Sequence, residues 1–210
     1  MLATVDPLLP LSLLEAVRSM DRPSDPETEL VDELRNKRFG LSDTVYVQIK
    51  RYTEAMRRGQ RTAQDEAVAL AKLIGRRPDS DEVFRAAGRY IAREAYGTLS
   101  PVSRQVMRLM PTLVARPLAL RSTRRLGKRY FGGTIRRVGS SLLLEVTRPV
   151  TTGVSPASGG CVYYESALRE LLRLTIGSVG AVEHVQCADR GQGACEWRAD
   201  WASIDRKAMK

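Results

Sequence analysis

Apolar residues in the N-terminal half of the chain recur with the three- to four-residue spacing of amphipathic helices. This spacing predicts a short helix at Leu9–Met20, which the breaker-rich segment Asp21–Pro26 ends. Four further helices are predicted, at Glu29–Arg38, Ser42–Arg58, Thr62–Ile74 and Ser80–Tyr96. We expect Ser42 and Thr62 to be N-caps, because a hydroxyl can accept a hydrogen bond from a free amide of the first turn. Gly97 is expected to end the last of these helices.

The segment Leu99–Leu120 keeps a helical pattern, but Pro111 and Pro117 fall inside it. A proline in a helix interior removes one backbone hydrogen bond, and its ring clashes with the preceding turn. The sequence therefore predicts two short helices that wrap a surface. Their apolar side chains are expected to point inward, and they are Val106, Met107, Leu109, Met110, Leu113, Val114 and Leu118.

From Thr134 onward the pattern becomes strand-like. The run Ser140–Thr147, within Ile135–Arg148, has the composition of a strand, and Pro149 marks its end. A loop rich in Gly, Ser and Pro follows at Thr151–Gly160.

The last part of the chain combines one helix with two strands. Periodic apolar residues predict an amphipathic helix at Cys161–Ile176, and strands are predicted at Ala181–Cys187 and Ala194–Trp201 around the turn Ala188–Gly193. Helices followed by a small antiparallel sheet with a packed helix define an α+β fold. We divide the chain into an N-terminal arm and linker (1–26), a helical region (27–96), a mixed module (97–203) and a C-terminal tail (204–210).

The composition agrees with a folded protein that stays inside the cell. Hydrophobic residues make up 43% of the 210 residues, and no apolar run approaches the roughly 18 residues that a membrane span needs. The first twenty residues carry Asp6 and Glu15 and have no basic region, so we expect no signal peptide. A cytoplasmic location is therefore expected, in which cysteines stay reduced.

Positive charge is concentrated in the middle of the chain. The net charge is +10, and no acidic residue occurs between Glu94 and Glu145. The cations of this stretch are Arg104, Arg108, Arg116, Arg121, Arg124, Arg125, Lys128, Arg129, Arg136 and Arg137. They form either an anion-binding surface or an ordinary solvated face. No helix-turn-helix or RNA-binding signature accompanies them, so we expect no sequence-specific nucleic-acid binding.

All three cysteines and the only histidine lie near the C-terminus, in the order Cys161, His184, Cys187 and Cys195. A hairpin around Gly191 would place Cys187 and Cys195 opposite each other, about 4.5–5.5 Å apart at Cβ. Cys161 begins a predicted helix, where the helix dipole favours a thiolate. Sulfur and imidazole ligands suit zinc, and four of them would fill a tetrahedral shell, as in structural sites.

The fourth ligand of this site is open at the level of sequence. His184 and Cys187 would point to opposite faces of a regular strand, so His184 can join only across a bulge or bend. Glu183 shares the face of Cys187 and is the spare ligand, although it is two pleat repeats away. The alternative to a metal site is a set of reduced core cysteines with a buried histidine.

These residues and their surroundings resemble the 4-vinyl-reductase domain family. The resemblance covers about residues 97–201 and is carried by Leu99–Arg116, Phe131–Gly133, Cys161–Arg173 and Glu183–Trp197. The family includes a bacteriochlorophyll-biosynthesis protein and the sensor regions of phenol-responsive transcription activators, and it shares a fold with TRAPP trafficking subunits. In its zinc-binding members, cysteines at the positions of Cys161, Cys187 and Cys195 bind the metal with a glutamate where this chain has His184.

The resemblance implies a homodimer with a ligand pocket between the helices of the middle segment and the sheet. A hydrophobic ligand is implied, such as a tetrapyrrole of bacteriochlorophyll metabolism. The residues that we expect to contact it are Arg104, Met107, Arg108, Met110, Arg125 and Tyr130.

Catalytic motifs are missing from the sequence. It contains no GxSxG, no Walker A and no dinucleotide fingerprint. Enzymatic activity is left open, and two binding roles are favoured. One is a zinc-stabilised carrier, accessory or sensor for a small hydrophobic molecule. The other is an interaction protein that docks on protein, membrane or nucleic acid through its basic face and dimer helices.

Overall fold

The computed structural model describes residues 3–22, 40, 42–110, 112–154, 160–177 and 180–200. Within these ranges the chain forms seven α-helices: α1 (Leu8–Asp21), α2 (Asp43–Arg57), α3 (Gln64–Ile74), α4 (Ser80–Gly97), α5 (Pro101–Leu109), α6 (Thr112–Leu126) and α7 (Cys161–Ile176). A π-helical segment, Gly127–Phe131, extends α6. The predicted helix at Glu29–Arg38 lies outside the described residues.

The strands form two antiparallel sheets. The small sheet pairs β1 (Thr4–Val5) with β2 (Thr62–Ala63). The larger sheet has the order β3–β4–β6–β5, and its strands are β3 (Thr134–Val138), β4 (Ser141–Val146), β5 (Val182–Gln186) and β6 (Cys195–Asp200). The predicted α+β class is therefore confirmed. No helix in the described ranges is long and apolar enough to cross a membrane.

Helix α1 lies in the interior of the molecule. Ten of its fourteen side chains are buried, and it contacts α2, α3 and α4. Its buried leucines belong to the same hydrophobic core as residues of α7 and β6. The domain boundaries proposed from the sequence stay a prediction, but helix α1 itself does not project from the rest of the fold.

The predicted cap at Thr62 is wrong. Thr62 does not cap α3, because its backbone pairs with Val5 in the small sheet and the helix begins only at Gln64. Helix α4 ends at Gly97 as predicted, but without a left-handed glycine cap, because the Thr98 amide and hydroxyl both donate to the Ala95 carbonyl and satisfy the last turn. The predicted cap at Ser42 is confirmed, since its hydroxyl accepts from the Val45 amide.

The predicted pair of helices is present as α5 and α6. The helical conformation is interrupted at Met110, which is extended, but Pro117 lies inside α6 and does not end it. Met107 is buried as expected, whereas Leu109 is 71% exposed and Met110 is 46% exposed, so their predicted inward orientation is wrong. The apolar stripe stops there because α5 ends at Leu109. The side chains of Leu113 and Val114 lie outside the described residues.

The predicted strand Ser140–Thr147 is present as β4 (Ser141–Val146), and the residues before it form the second strand of a hairpin. Strands β3 and β4 turn at Gly139, whose φ of +58° favours glycine. In β4 the buried residues alternate, and they are Leu142, Leu144 and Val146. This alternation places one face of the sheet in the core and the other in solvent.

Candidate metal centre

Three elements bring the cysteines and the histidine to one end of the large sheet. Cys161 is the first residue of α7, and Cys195 is the first residue of β6. Cys187 follows β5 directly and precedes the short 3-10 turn Ala188–Arg190. All three cysteines are buried and form no disulfide. The predicted hairpin and helix N-terminus are thus where the sequence placed them.

A β-bulge brings His184 to the same side as Cys187. His184 pairs with Trp197, and Gln186 pairs with the next residue of β6, Glu196, so that Val185 is the extra residue between them. One extra residue reverses the alternation of side chains along β5. From the sequence, His184 was expected to reach the cysteines only across such a bulge or bend. Glu183 is exposed and does not belong to the cluster.

The four side chains converge on one point. Each offers one ligand atom, and the three sulfurs and the imidazole nitrogen all lie within 4.8 Å of one another. The Cys161 and Cys187 sulfurs are 3.9 Å apart. A tetrahedral zinc with Zn–S bonds of about 2.3 Å would separate two sulfurs by about 3.8 Å. The donor set therefore fits a single tetrahedral ion.

The hydrogen bonds around the cluster leave one nitrogen of His184 unpaired. The Ala188 amide donates to the Cys195 sulfur at 3.2 Å, and the Cys187 amide donates to Gln192 Oε1 at 2.8 Å. Among the described residues, His184 Nε2 is buried and has no hydrogen-bond partner. Buried polar atoms are rarely left unsatisfied, and a ring nitrogen can meet this need by binding a metal.

The pKa values of the Cys161 and Cys195 thiols shift in opposite directions. The hydrogen bond from Cys161 lowers the pKa of Cys195 to about 6, and the Ala188 amide lowers it further, against the effect of burial. The same hydrogen bond, together with burial, raises the pKa of Cys161 well above its ordinary value. A bound cation would remove this conflict, because its charge stabilises all three thiolates at once.

An aromatic stack connects the cluster to the core. The His184 ring stacks on Trp197 with centroids 5.0 Å apart, and Trp197 contacts Tyr164 at 5.0 Å. Tyr163 meets Tyr164 edge to face, and the Tyr163 hydroxyl lies 3.0 Å from Ser12 Oγ in α1. The sequence analysis missed Trp197 as a neighbour of the site. Its place two residues after Cys195, on the same face of a strand, was the available signal.

The six predicted ligand-contacting residues do not lie in one pocket. Arg104 and Arg108 line a groove of about 610 Å³ between the end of α4 and α5, here named the α4–α5 groove. Arg125 and Tyr130 line a second groove of about 430 Å³ between α5 and α6, here named the α5–α6 groove. Met107 is in the core, and Met110 lines neither groove.

The α4–α5 groove contains two unpaired polar atoms. Among the described residues, the Tyr96 hydroxyl and Arg104 Nε are buried without a hydrogen-bond partner, and both residues line this groove. Pro101 and Leu109 add apolar surface. All of its described lining residues belong to α4 and α5, and none of them comes from the sheet.

Fold and site together define an α+β protein with a Cys₃His cluster suited to a metal ion. Comparison of the chain with known protein families and with curated proteins found no match. The resemblance to the 4-vinyl-reductase domain family therefore stays a prediction from the residues quoted above.

Proposed function

We propose that this protein is a zinc-stabilised small-molecule-binding protein, and that Cys161, His184, Cys187 and Cys195 hold one structural zinc ion. The observation that carries the zinc proposal is the convergence of the four ligand atoms within 4.8 Å, with His184 Nε2 otherwise unpaired. Thiolate and imidazole ligands favour zinc over magnesium or calcium. Four protein ligands leave no open coordination position, so the ion would stabilise the fold and take no part in catalysis.

We place the ligand of this proposal in the α4–α5 groove. Its volume of about 610 Å³ lies in the ordinary range for small-molecule sites. Tyr96 and Arg104 offer unpaired donors to a polar or acidic edge, and Leu109 offers apolar contact. A flat hydrophobic molecule with a carboxylate fits this combination. The family resemblance suggests a tetrapyrrole of bacteriochlorophyll metabolism, bound by a carrier, accessory or sensor protein in the cytoplasm.

Elemental analysis tests the zinc proposal. Protein purified without added metal is expected to contain close to one zinc per chain. Cys187→Ser should lose the zinc and much of the stability, because structural zinc contributes about 10 kcal/mol or more of binding energy that is also folding energy. Because Cys187 is buried, its substitution also changes the packing around it. Removing zinc from the unmodified chain with a chelator avoids this change and should give the same loss of stability. Zinc-free protein with three freely titrating thiols at neutral pH would refute the proposal.

Ligand binding is tested by mixing the protein with carboxylated porphyrins and following both thermal stability and product formation. Stabilisation without turnover is expected. Arg104→Gln should reduce it, whereas Arg137→Gln, which changes an exposed arginine of β3 outside both grooves, should not. Turnover with added reductant would make the protein an enzyme.

A second candidate function is an interaction protein, and the exposed face of α5 favours it. Val102 and Leu109 are seven residues apart on one face of the helix, and each is 71% exposed. The homodimer implied by the family resemblance would use such a surface. Light scattering that finds a dimer, together with no response to any porphyrin, would favour this candidate.

A further inference from the structure

One face of α6 and its π-helical extension lines the α5–α6 groove. The lining residues of this face are Leu118, Arg121, Ser122, Arg125, Leu126 and Arg129. Their spacing of three and four residues places them in a single stripe along the helix. Three guanidinium groups therefore face the same groove, with two leucines beside them.

The arginines of this stripe have few acidic partners. Arg121 and Arg125 form no ion pair with any residue in the described ranges. Arg129 lies over the Tyr130 ring, and its Nε is 3.8 Å from a carboxylate oxygen of Asp6. None of the described residues that line the groove is acidic. The net charge at its wall is therefore positive.

Two side chains that carry hydroxyl groups also line the groove. Ser122 is 7% exposed and Tyr130 is 3% exposed, and both line the groove. Within the described part of the chain, neither hydroxyl forms a hydrogen bond. Their hydroxyls add two neutral donors beside the guanidinium groups in the same groove.

The opposite wall is the start of α5, and it contributes less. The Ser100 hydroxyl already caps this helix by accepting from the Ser103 amide, and it also donates to Ser103 Oγ at 2.9 Å. Pro101 has no amide hydrogen. The donors available to a ligand are therefore the guanidinium groups and the hydroxyls of Ser122 and Tyr130.

We propose that the α5–α6 groove binds the phosphate group of a small organic phosphomonoester. A phosphate dianion has acceptor oxygens in several directions, which suits donors that converge from arginine, serine and tyrosine. A volume of about 430 Å³ exceeds that of phosphate alone, and Leu118 and Leu126 provide apolar contact for an organic group. This site is separate from the α4–α5 groove and extends the proposed small-molecule binding to a second class of ligand.

Calorimetric titration of the full zinc-loaded chain with inorganic phosphate and with phenyl phosphate tests the proposal. Both are expected to bind at about 150 mM NaCl, where the Debye length is about 8 Å and long-range charge attraction is screened. Phenyl phosphate is expected to bind more tightly than inorganic phosphate. The double variant R121Q/R125Q should weaken phenyl phosphate binding by about tenfold or more, because two charge-assisted hydrogen bonds are lost. Tyr130→Phe keeps the ring and should weaken binding about three- to tenfold.

The matched control is K128Q/R137Q, which removes two exposed cations outside the groove. It should change binding by less than about twofold. Equal losses in the two double variants, or no binding of either phosphate, would overturn the proposal. Thermal unfolding of each variant checks that the arginine changes leave the fold intact, which is expected because these side chains are exposed.

Two further experiments complete the test. One distinguishes a lipid headgroup from a soluble metabolite as the source of the phosphate group, and the other distinguishes the α5–α6 groove from the α4–α5 groove. Vesicles with phosphatidic acid that outcompete phenyl phosphate in an Arg121- and Arg125-dependent way would identify a lipid headgroup as the source. Preference for soluble phenyl phosphate would identify a free metabolite. Arg104→Gln should leave phosphate binding unchanged, so failure of porphyrin binding in the α4–α5 groove and failure at this site are distinguished.

Discussion

His184 reaches the candidate metal cluster because one residue, Val185, interrupts the pairing of β5 with β6. Its ring then stacks on Trp197, and its Nε2 is left without a partner in the described structure. The family resemblance implies a glutamate at this position in the zinc-binding members. A glutamate would offer zinc one oxygen, where the proposed zinc site of this chain uses an imidazole nitrogen.

The role of His184 leads to a prediction about zinc retention. His184→Ala should release zinc to a chelator at a lower concentration, by about tenfold or more, because three ligands remain where four stood. His184→Glu should restore part of the affinity. Glu183→Ala is the matched control, since Glu183 is the exposed neighbour outside the cluster. Zinc loss from Glu183→Ala equal to that from His184→Ala would show that the ligand assignment is wrong.

At the scale of elements, the contact between α4 and α7 is the most extensive between two helices in the described structure. Gly88 makes it possible, because a Cβ at this position would lie 2.2 Å from the Tyr163 carbonyl oxygen and 3.0 Å from the Ala167 amide. The same helices are joined by Arg93, whose Nε donates to Glu170 at 2.7 Å. With Arg173 and Arg93 as donors, the pKa of Glu170 falls to about 2.

The close approach at Gly88 is tested by substitution with alanine. Gly88→Ala should destabilise the protein by about 1–3 kcal/mol or more, because backbone atoms of α7 would have to move apart. Gly97→Ala is the control in the same helix, where a Cβ meets nothing within 4 Å. It should be neutral or stabilising by up to about 1 kcal/mol. Denaturant unfolding measures both, and a neutral Gly88→Ala would contradict the packing described here.

At the scale of the whole molecule, the net charge of +10 equals the number of cations between Glu94 and Glu145. The structure distributes these cations over separate surfaces. Arg104 and Arg108 line one groove, Arg121 and Arg125 line another, and Arg136 pairs with glutamates of the sheet. In sequence-specific DNA-binding proteins, one recognition helix places its side chains against the bases in a groove of DNA. Cations that are spread over separate surfaces do not provide such a helix.

The spread of the cations over separate surfaces leads to a prediction about nucleic acid. Any binding to DNA should be independent of sequence and should weaken steeply with salt, with a slope of about −0.9 in log affinity for each phosphate contacted. Fluorescence anisotropy with two unrelated duplexes between 50 and 200 mM salt, the range in which phosphate contacts are most sensitive, measures this. A strong preference for one duplex that survives at the upper salt concentration would contradict it.

Local rules of the sequence accounted for much of the fold. Apolar spacing located the helices Leu8–Asp21, Asp43–Arg57 and Cys161–Ile176 within one or two residues, because each buries one periodic face. The spacing of the cysteines and the turn at Gly191 located the candidate metal cluster, because a hairpin of that length brings its two ends together.

Only the tertiary structure decided the features that depend on distant partners. Thr62 became a strand residue because Val5 lies beside it, and Leu109 stayed exposed because no described element covers the end of α5. The bulge at Val185 also depends on pairing with β6, which the residues of β5 cannot specify alone. Spacing along the chain determined which side chains share a face, whereas the packing of separate elements determined what each face meets.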